Sequence, residues 1–455
     1  MHLRKRHYEI DMLNGPIMPK LLTFAFPLIL SSALQLTFNA ADVIVVGRFE
    51  GDTALAAVGA PGALINLLIN LFLGFSVGAN VVVAQCYGAN DYRETSAAVH
   101  TSIGLSLVSG IGVGVMGFFL AGFFLQLMNT PPEVLPLATT YMKIYFLGMP
   151  ANMVYNFGAA ILRAIGDTRR PLTYLIISGA TNVVLNLVFV LAFGLGVQGV
   201  ALATIISQFV SAILILLCLM RSEGSIHLDI RKIRFQRDKV WKIARVGLPA
   251  GLQGTFFSIS NVLIQSTVNS FGAIVVAGNT AASNIENYVY VSMNAIYQAA
   301  ITFTGQNVGA RKYDRISRVT RSSLLAVLGI GLILGGILMA FLRPLLGIYT
   351  QDDAVISAGV IRTTIIAPTY FLCGMMDVMV GVLRGMGSSI MPMIVSVMGA
   401  CVFRIFWIYV IFPISPTLEM LYASYPVSWI ITLAVHLACY FVVKKRKFTI
   451  SAIET

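Results

Sequence analysis

Three carboxylates stand in surroundings where a charge is costly. Of the nineteen aspartates and glutamates, only Asp42, Glu286 and Asp377 fall well inside long apolar stretches. An ionised side chain at the centre of a bilayer costs about 2.5–3.5 kcal/mol on insertion scales. Uptake of a proton or a metal cation removes much of that cost, so such a group is suited to binding and releasing an ion. The plainer alternative is a structural carboxylate neutralised by an arginine or capped by amides. Arg404, one apolar stretch beyond Asp377, offers Asp377 such a static partner. Asn182 and Asn186 are four residues apart, hence on one helix face, and Thr204 follows in the next stretch. Taken singly, these are ordinary interhelical hydrogen-bonding groups, worth about 0.6 kcal/mol on average in membranes. Gathered around Asp42, they would form an oxygen-rich cation site.

Two strings imitate enzyme motifs. Gly74-Phe-Ser76-Val-Gly78 has the spacing of a nucleophile elbow, and Gly112-Val-Gly114-Val-Met-Gly117 that of a dinucleotide fingerprint. Both chemistries need a strand leading into a helix. Each string lies inside an apolar run, where small residues allow close helix packing. No Gly-Lys-Ser/Thr phosphate loop occurs, so the chain is not expected to hydrolyse ATP, and with no plausible catalytic constellation it is not expected to be an enzyme.

The elements that must carry these residues are membrane spans. Of 455 residues, 57% are hydrophobic and 11% charged, and the mean hydropathy is +0.83. A water-soluble surface needs more charge than that. Stretches long enough to cross a bilayer fall near 17–46, 61–86, 97–127, 136–161, 171–193 and 198–220. A second set falls near 243–270, 276–304, 322–348, 355–383, 390–412 and 420–443. The basic start Arg4-Lys5-Arg6 suggests a signal peptide, but the following apolar run is too long and lacks a small-residue cleavage site. It reads as an uncleaved first helix. The net charge of +12 does not imply nucleic acid, because the basic residues sit in short clusters between apolar runs. All but five of the 31 lysines and arginines fall at the termini or in one alternating set of loops; Arg48, Lys143, Arg343, Arg362 and Arg404 are the exceptions. The positive-inside rule then predicts that both termini are cytoplasmic. The five cysteines lack metal-ligand spacing and behave as small buried hydrophobes.

The chain repeats itself at an offset of about 220. Lys20 to Pro27 recurs as Lys242 to Pro249, followed in each case twelve residues later by Asn39 and Asn261. Gln85-Cys-Tyr-Gly-Ala recurs as Gln306-Asn-Val-Gly-Ala, and Leu162-Arg-Ala-Ile-Gly as Leu383-Arg-Gly-Met-Gly. Six spans per half is an even number, so the halves insert the same way up as parallel repeats. The expected organisation is an N-terminal lobe over 1–222, a cytoplasmic linker over 223–241 and a C-terminal lobe over 242–455, with a cleft between lobes.

In these motifs the chain resembles the multidrug and toxic compound extrusion (MATE) transporters over nearly its whole length. The resemblance rests on Asp42-x-x-x-x-Gly47, the duplicated Gln-x-x-Gly-Ala at Gln85 and Gln306, and Leu-Arg163-Ala-x-Gly-Asp167-Thr with Arg384-Gly-x-Gly. It implies an all-α polytopic fold of about twelve spans in two six-helix repeats. It also implies a monomeric exporter of organic cations and other drugs in a bacterial cytoplasmic membrane, driven by H⁺ or Na⁺ and using no other cofactor. Asp42, Asn182, Asn186 and Thr204 match the family's N-terminal cation site, and would ligate the metal if the ion is Na⁺. The family's C-terminal acids match less well: Phe257 stands where the seventh span would carry one, Glu286 lies on the eighth span, and Asp377 is displaced by a turn on the tenth. Glu286 and Asp377, with Asn39, Asn156 and Asn261, are therefore candidates for the substrate cleft. A lipid-linked-sugar flippase of the same superfamily and a passive channel stay open as alternatives.

Overall fold

Lipid offers no hydrogen bonds to a peptide group, so a chain this apolar must satisfy its backbone within each span. The computed structural model describes residues 8–59, 61–128 and 130–453; the basic start at Arg4 to Arg6 lies outside them. Among the described residues the elements are all helical. The first half contains α1 (Ile17–Phe49), α2 (Asp52–Gly59), α3 (Gly62–Gly88), α4 (Tyr92–Leu127), α5 (Leu135–Leu147), α6 (Met149–Ala164), α7 (Arg169–Leu187) and α8 (Gly196–Arg221). The second contains α9 (Arg237–Asn269), α10 (Ala273–Gly309), α11 (Tyr313–Ala340), α12 (Leu342–Gly347), α13 (Asp353–Ile366), α14 (Tyr370–Gly385), α15 (Ile390–Ser396), α16 (Phe403–Phe406) and α17 (Leu418–Ile453).

Nine helical runs among the described residues are long and apolar enough to cross a membrane. The three other expected stretches are helical as well. One is divided at Gly148 into α5 and α6, and the other two are the long but more polar α9 and α10. The two enzyme-like strings lie within α3 and α4, with no strand beside them, and Ser76 donates to the carbonyl of Leu73 one turn back at 2.7 Å.

Packing divides the chain into two units. One holds residues up to Asp11 together with Leu30–Gly251; the other holds Met12–Ile29 together with the chain from Leu252 onward. Each half's first helix therefore has its start in one unit and its remainder in the other. Pro27 and Pro249, aligned by the repeat, each lie two residues before the point of change.

In the first unit, α3, α4, α6 and α8 pack around buried Val83, Val99, Phe157 and Ile215. The linker is fastened to this unit. Ile226 and Leu228 are buried, His100 Nε2 accepts from the Asp229 N–H at 3.1 Å, and Thr101 donates to the Arg234 carbonyl at 3.1 Å. The Arg231 N–H, bonded to Asp229, holds that carboxyl below the usual carboxylate range. The side chain of Lys239, at the start of α9, is fully buried and paired with Glu94.

In the second unit the position matching Glu94 is Arg315. Its guanidinium donates to the carbonyls of Met12 at 3.3 Å, Asn14 at 3.1 Å and Gly15 at 2.8 Å, which lead into α1. The same site in each repeat thus pins the approach to a half's first helix, in one unit through an ion pair and in the other through backbone carbonyls. The turns that precede these residues also match. Asn90 and Arg311 both adopt a φ of 56°, sparsely used by side chains other than glycine.

Candidate functional site

Helices α1 and α7 approach each other at one glycine. A Cβ on Gly179 would lie 1.9 Å from the Phe38 ring, so no other residue fits there without displacement. Asp42 is one turn beyond Phe38 on α1. Asn182 and Asn186 follow Gly179 at helical spacing on α7. The contact therefore brings the carboxylate and the two amides together.

Asn186 Nδ2 donates to Asp42 Oδ1 and, at 3.3 Å, to Asn182 Oδ1. Asn182 Nδ2 in turn donates to Thr204 Oγ1 on α8 at 3.4 Å, and Thr204 donates to the Val200 carbonyl at 3.0 Å. Ser178 secures the α7–α8 pair by donating to the Ser207 carbonyl at 2.8 Å. Both asparagines are buried, and Asp42 and Thr204 are half-buried. The Asn186 Oδ1 atom is buried with no hydrogen-bond partner. Immediately after Asn186 the helix widens into a π-helical turn at Val188–Ala192, a distortion frequent at functional sites.

All four residues expected at the N-terminal cation site thus form one connected cluster. Its donors are carboxylate, amide and hydroxyl oxygens, the hard ligands that suit Na⁺, while the carboxylate can equally take a proton. Tyr141 and Tyr145 on α5, stacked with ring centres 6.1 Å apart, lie within electrostatic reach of Asp42. Their sequence surroundings did not mark them out.

The second unit treats its acids differently. Glu286 on α10 is 2% exposed and receives Arg362 Nε at 3.1 Å and Nη2 at 2.8 Å. Thr363 donates to its other oxygen at 3.3 Å. Arg362 also donates to Asn279 Oδ1 at 2.8 Å, to which the Tyr422 hydroxyl donates at 3.1 Å. Glu286 is therefore held in a buried ion pair that sequence reasoning missed. The signal was present, since Arg362 was one of five basic residues that the loop pattern could not place.

Asp377 on α14 is half-buried and makes no ion pair among the described residues. Arg404, the static partner considered for it, donates instead to Ser428 at 2.9 Å and stacks 4.2 Å above the Tyr425 ring. Beside it runs an aromatic series: Tyr370 stacks on Tyr290 at 6.4 Å and on Trp429 at 5.5 Å. Asn156 is half-buried and donates to Asn152 within its own helix at 2.9 and 3.0 Å, while Asn39 and Asn261 are exposed. These three are not brought into either cluster.

Comparison with known proteins agrees with the duplicated layout. A probable multidrug resistance protein of Bacillus subtilis (strain 168), YpnP, is 27% identical over 394 residues, 87% of this chain and 88% of that protein. The probable multidrug resistance protein NorM of Thermotoga maritima is 26% identical, over 84% of this chain and 82% of its own. Among solved structures, an outward-facing MATE family transporter of the MOP superfamily superposes with a TM-score of 0.90 at 22% identity. That match covers 98% of this chain and all of the other. The model of the MatE family matches residues 27–188 and again 249–410. With both halves matched, the chain belongs to the MatE family of membrane transporters.

Proposed function

We propose that the protein is a secondary active multidrug efflux antiporter, exporting organic cations in exchange for H⁺ or Na⁺ by alternating access. The observation that carries this reading is the Asp42 cluster. It holds a carboxylate in an apolar helix through an amide, with no ion pair to a base among the described residues. Such a group can accept a cation and give it up again. A carboxylate locked to an arginine cannot do so without breaking the pair.

In the outward-facing state, Asp42 takes up the ion. A proton would convert the carboxylate to a donor and turn the Asn186 contact around. Na⁺ would draw on Asp42, the Asn182 and Asn186 carbonyls and the Thr204 hydroxyl, and the unpartnered Asn186 oxygen supports that set. Either event changes how α1 is held against α7, and substrate leaves to the outside. Loss of the ion to the cytoplasm restores the state that binds drug. Exchange of one monovalent organic cation for one ion moves no net charge, so the ion's concentration gradient drives it, about 1.4 kcal/mol for each tenfold difference. The names carried by the sequence relatives support a drug cargo. The basic loops support an orientation with both termini inside, and the bacterial relatives support a cytoplasmic membrane setting.

The test is ethidium efflux from cells carrying the wild type or Asp42→Asn, with the proton and sodium gradients varied separately. The amide variant keeps the shape and loses the exchangeable charge, so ion-driven efflux should fall to background. Efflux that still responds to the same gradient in the variant excludes Asp42 as the coupling site.

A further inference from the structure

Six cationic side chains surround the starts of α1 and α11 in the second unit, and they divide into two groups. Arg315, Lys312 and Lys20 are engaged by the chain itself. Arg315 binds the carbonyls described above, Lys312 donates to Leu13 O at 3.0 Å and Asn14 Oδ1 at 2.9 Å, and Lys20 donates to Asn14 O at 2.7 Å. Arg311, Arg318 and Arg321 are exposed and make no hydrogen bond or ion pair among the described residues. They line two adjoining cavities, of about 560 and 380 Å³, that share Gly15, Arg315 and Arg318 and so form one groove. One carboxylate, Asp314, lines it. The groove is therefore strongly cationic, with guanidinium donors left to spare.

Apolar surface continues away from this groove along both helices. Leu22 and Phe26, one turn apart on α1, are 42% and 67% exposed. Leu325, one turn beyond Arg321 on α11, is 61% exposed. An anion-accepting head followed by an outward-facing apolar track matches an amphiphile with a charged phosphate and acyl chains. Free phosphate would use only the arginines.

We infer that this groove binds the phosphate headgroup of an anionic phospholipid from the leaflet on the basic side of the membrane. Arg318 and Arg321 contact the phosphate, and the acyl chains lie along Leu22, Phe26 and Leu325. Guanidinium is the natural donor because its fork matches phosphate oxygens two at a time. Residues 13–19 form one wall, so the bound lipid also holds the approach to α1. The inference does not depend on the transport reading, and its test involves no transport.

Full-length protein in a neutral detergent is heated with added short-chain phosphatidylglycerol, short-chain phosphatidylcholine or inorganic phosphate. Phosphatidylglycerol should raise the unfolding midpoint saturably, and the other two should not at equal concentration. At about 1 kcal/mol per basic residue near an anionic surface, each arginine removed weakens binding about fivefold. Arg318→Gln with Arg321→Gln should therefore raise the half-saturating concentration of phosphatidylglycerol roughly 25-fold. Arg221→Gln, a basic residue outside the groove, should leave it unchanged. The charge-retaining pair Arg318→Lys with Arg321→Lys should keep most of the binding, which separates lost charge from misfolding. An equal response to phosphate or to phosphatidylcholine, or an unaltered response in the double glutamine variant, overturns the inference.

Discussion

An amide donates to Asp42 without supplying charge, whereas a guanidinium gives Glu286 both charge and two N–H bonds. Removing one partner of a buried ion pair typically costs about 3–5 kcal/mol, because the other charge is left uncompensated. Arg362→Ala should therefore lower the unfolding midpoint by many degrees, while Glu286→Gln with Arg362→Met should restore much of the loss; scanning fluorimetry of the purified protein checks both. Asn186→Ala should leave folding near wild type yet weaken ion-driven efflux, since it removes a contact to Asp42 that packing does not replace. A thermal shift as large as that of Arg362→Ala would instead make Asn186 a structural residue. The Asp42 cluster was legible in the sequence, where a carboxylate, two amides at helical spacing and a hydroxyl pointed to one chemistry. The Glu286–Arg362 pair was not, because its members are 76 residues apart and nothing in either local pattern names the other. A cation that no loop accounts for is a cue to seek the buried acid that neutralises it.

At the scale of elements, one glycine sets the distance between α1 and α7. Gly179→Val would force its side chain into the Phe38 ring. Overpacking of this kind costs about 1–3 kcal/mol and shifts backbone. The expected result is reduced efflux with modest loss of stability, and Phe38→Ala in the same background should recover part of the efflux. Periodicity and length located the helices well, since apolar runs of this length have few alternatives in lipid. Finer features escaped it. The break at Gly148, the π-helical turn after Asn186 and the docking of the linker through His100 and Asp229 depend on contacts between distant segments. The linker read only as a cytoplasmic connection between lobes, yet Ile226 and Leu228 sit in the core of the first unit.

For the molecule as a whole, two units of like construction suit a carrier that exposes its site to each side in turn. In liposomes, unlabelled substrate on the far side should accelerate entry of labelled substrate, as carriers do; uptake indifferent to it would indicate a pore. The halves match in prolines, in the helix-end arginines Arg163 and Arg384, and in turn geometry, including the shared φ of Asn90 and Arg311. Their buried acids do not match. Duplication has kept the scaffold, and the coupling chemistry proposed here belongs to the first unit alone.

The exchange of helix starts between units also sets an order of events during synthesis. The first unit draws on residues up to Gly251, so its packing stays unfinished when its own half has been translated. Met12–Ile29 leave the ribosome almost first, yet the partners they contact, Phe303, Asn307, Lys312 and Arg315, are made only in the second half of the chain. At about 5–20 residues per second, that segment waits some tens of seconds or less in the bilayer before its neighbours arrive. A nascent chain stalled between the halves would therefore present an unfinished first bundle and an unpartnered helix start to the quality-control proteases, rather than one finished bundle.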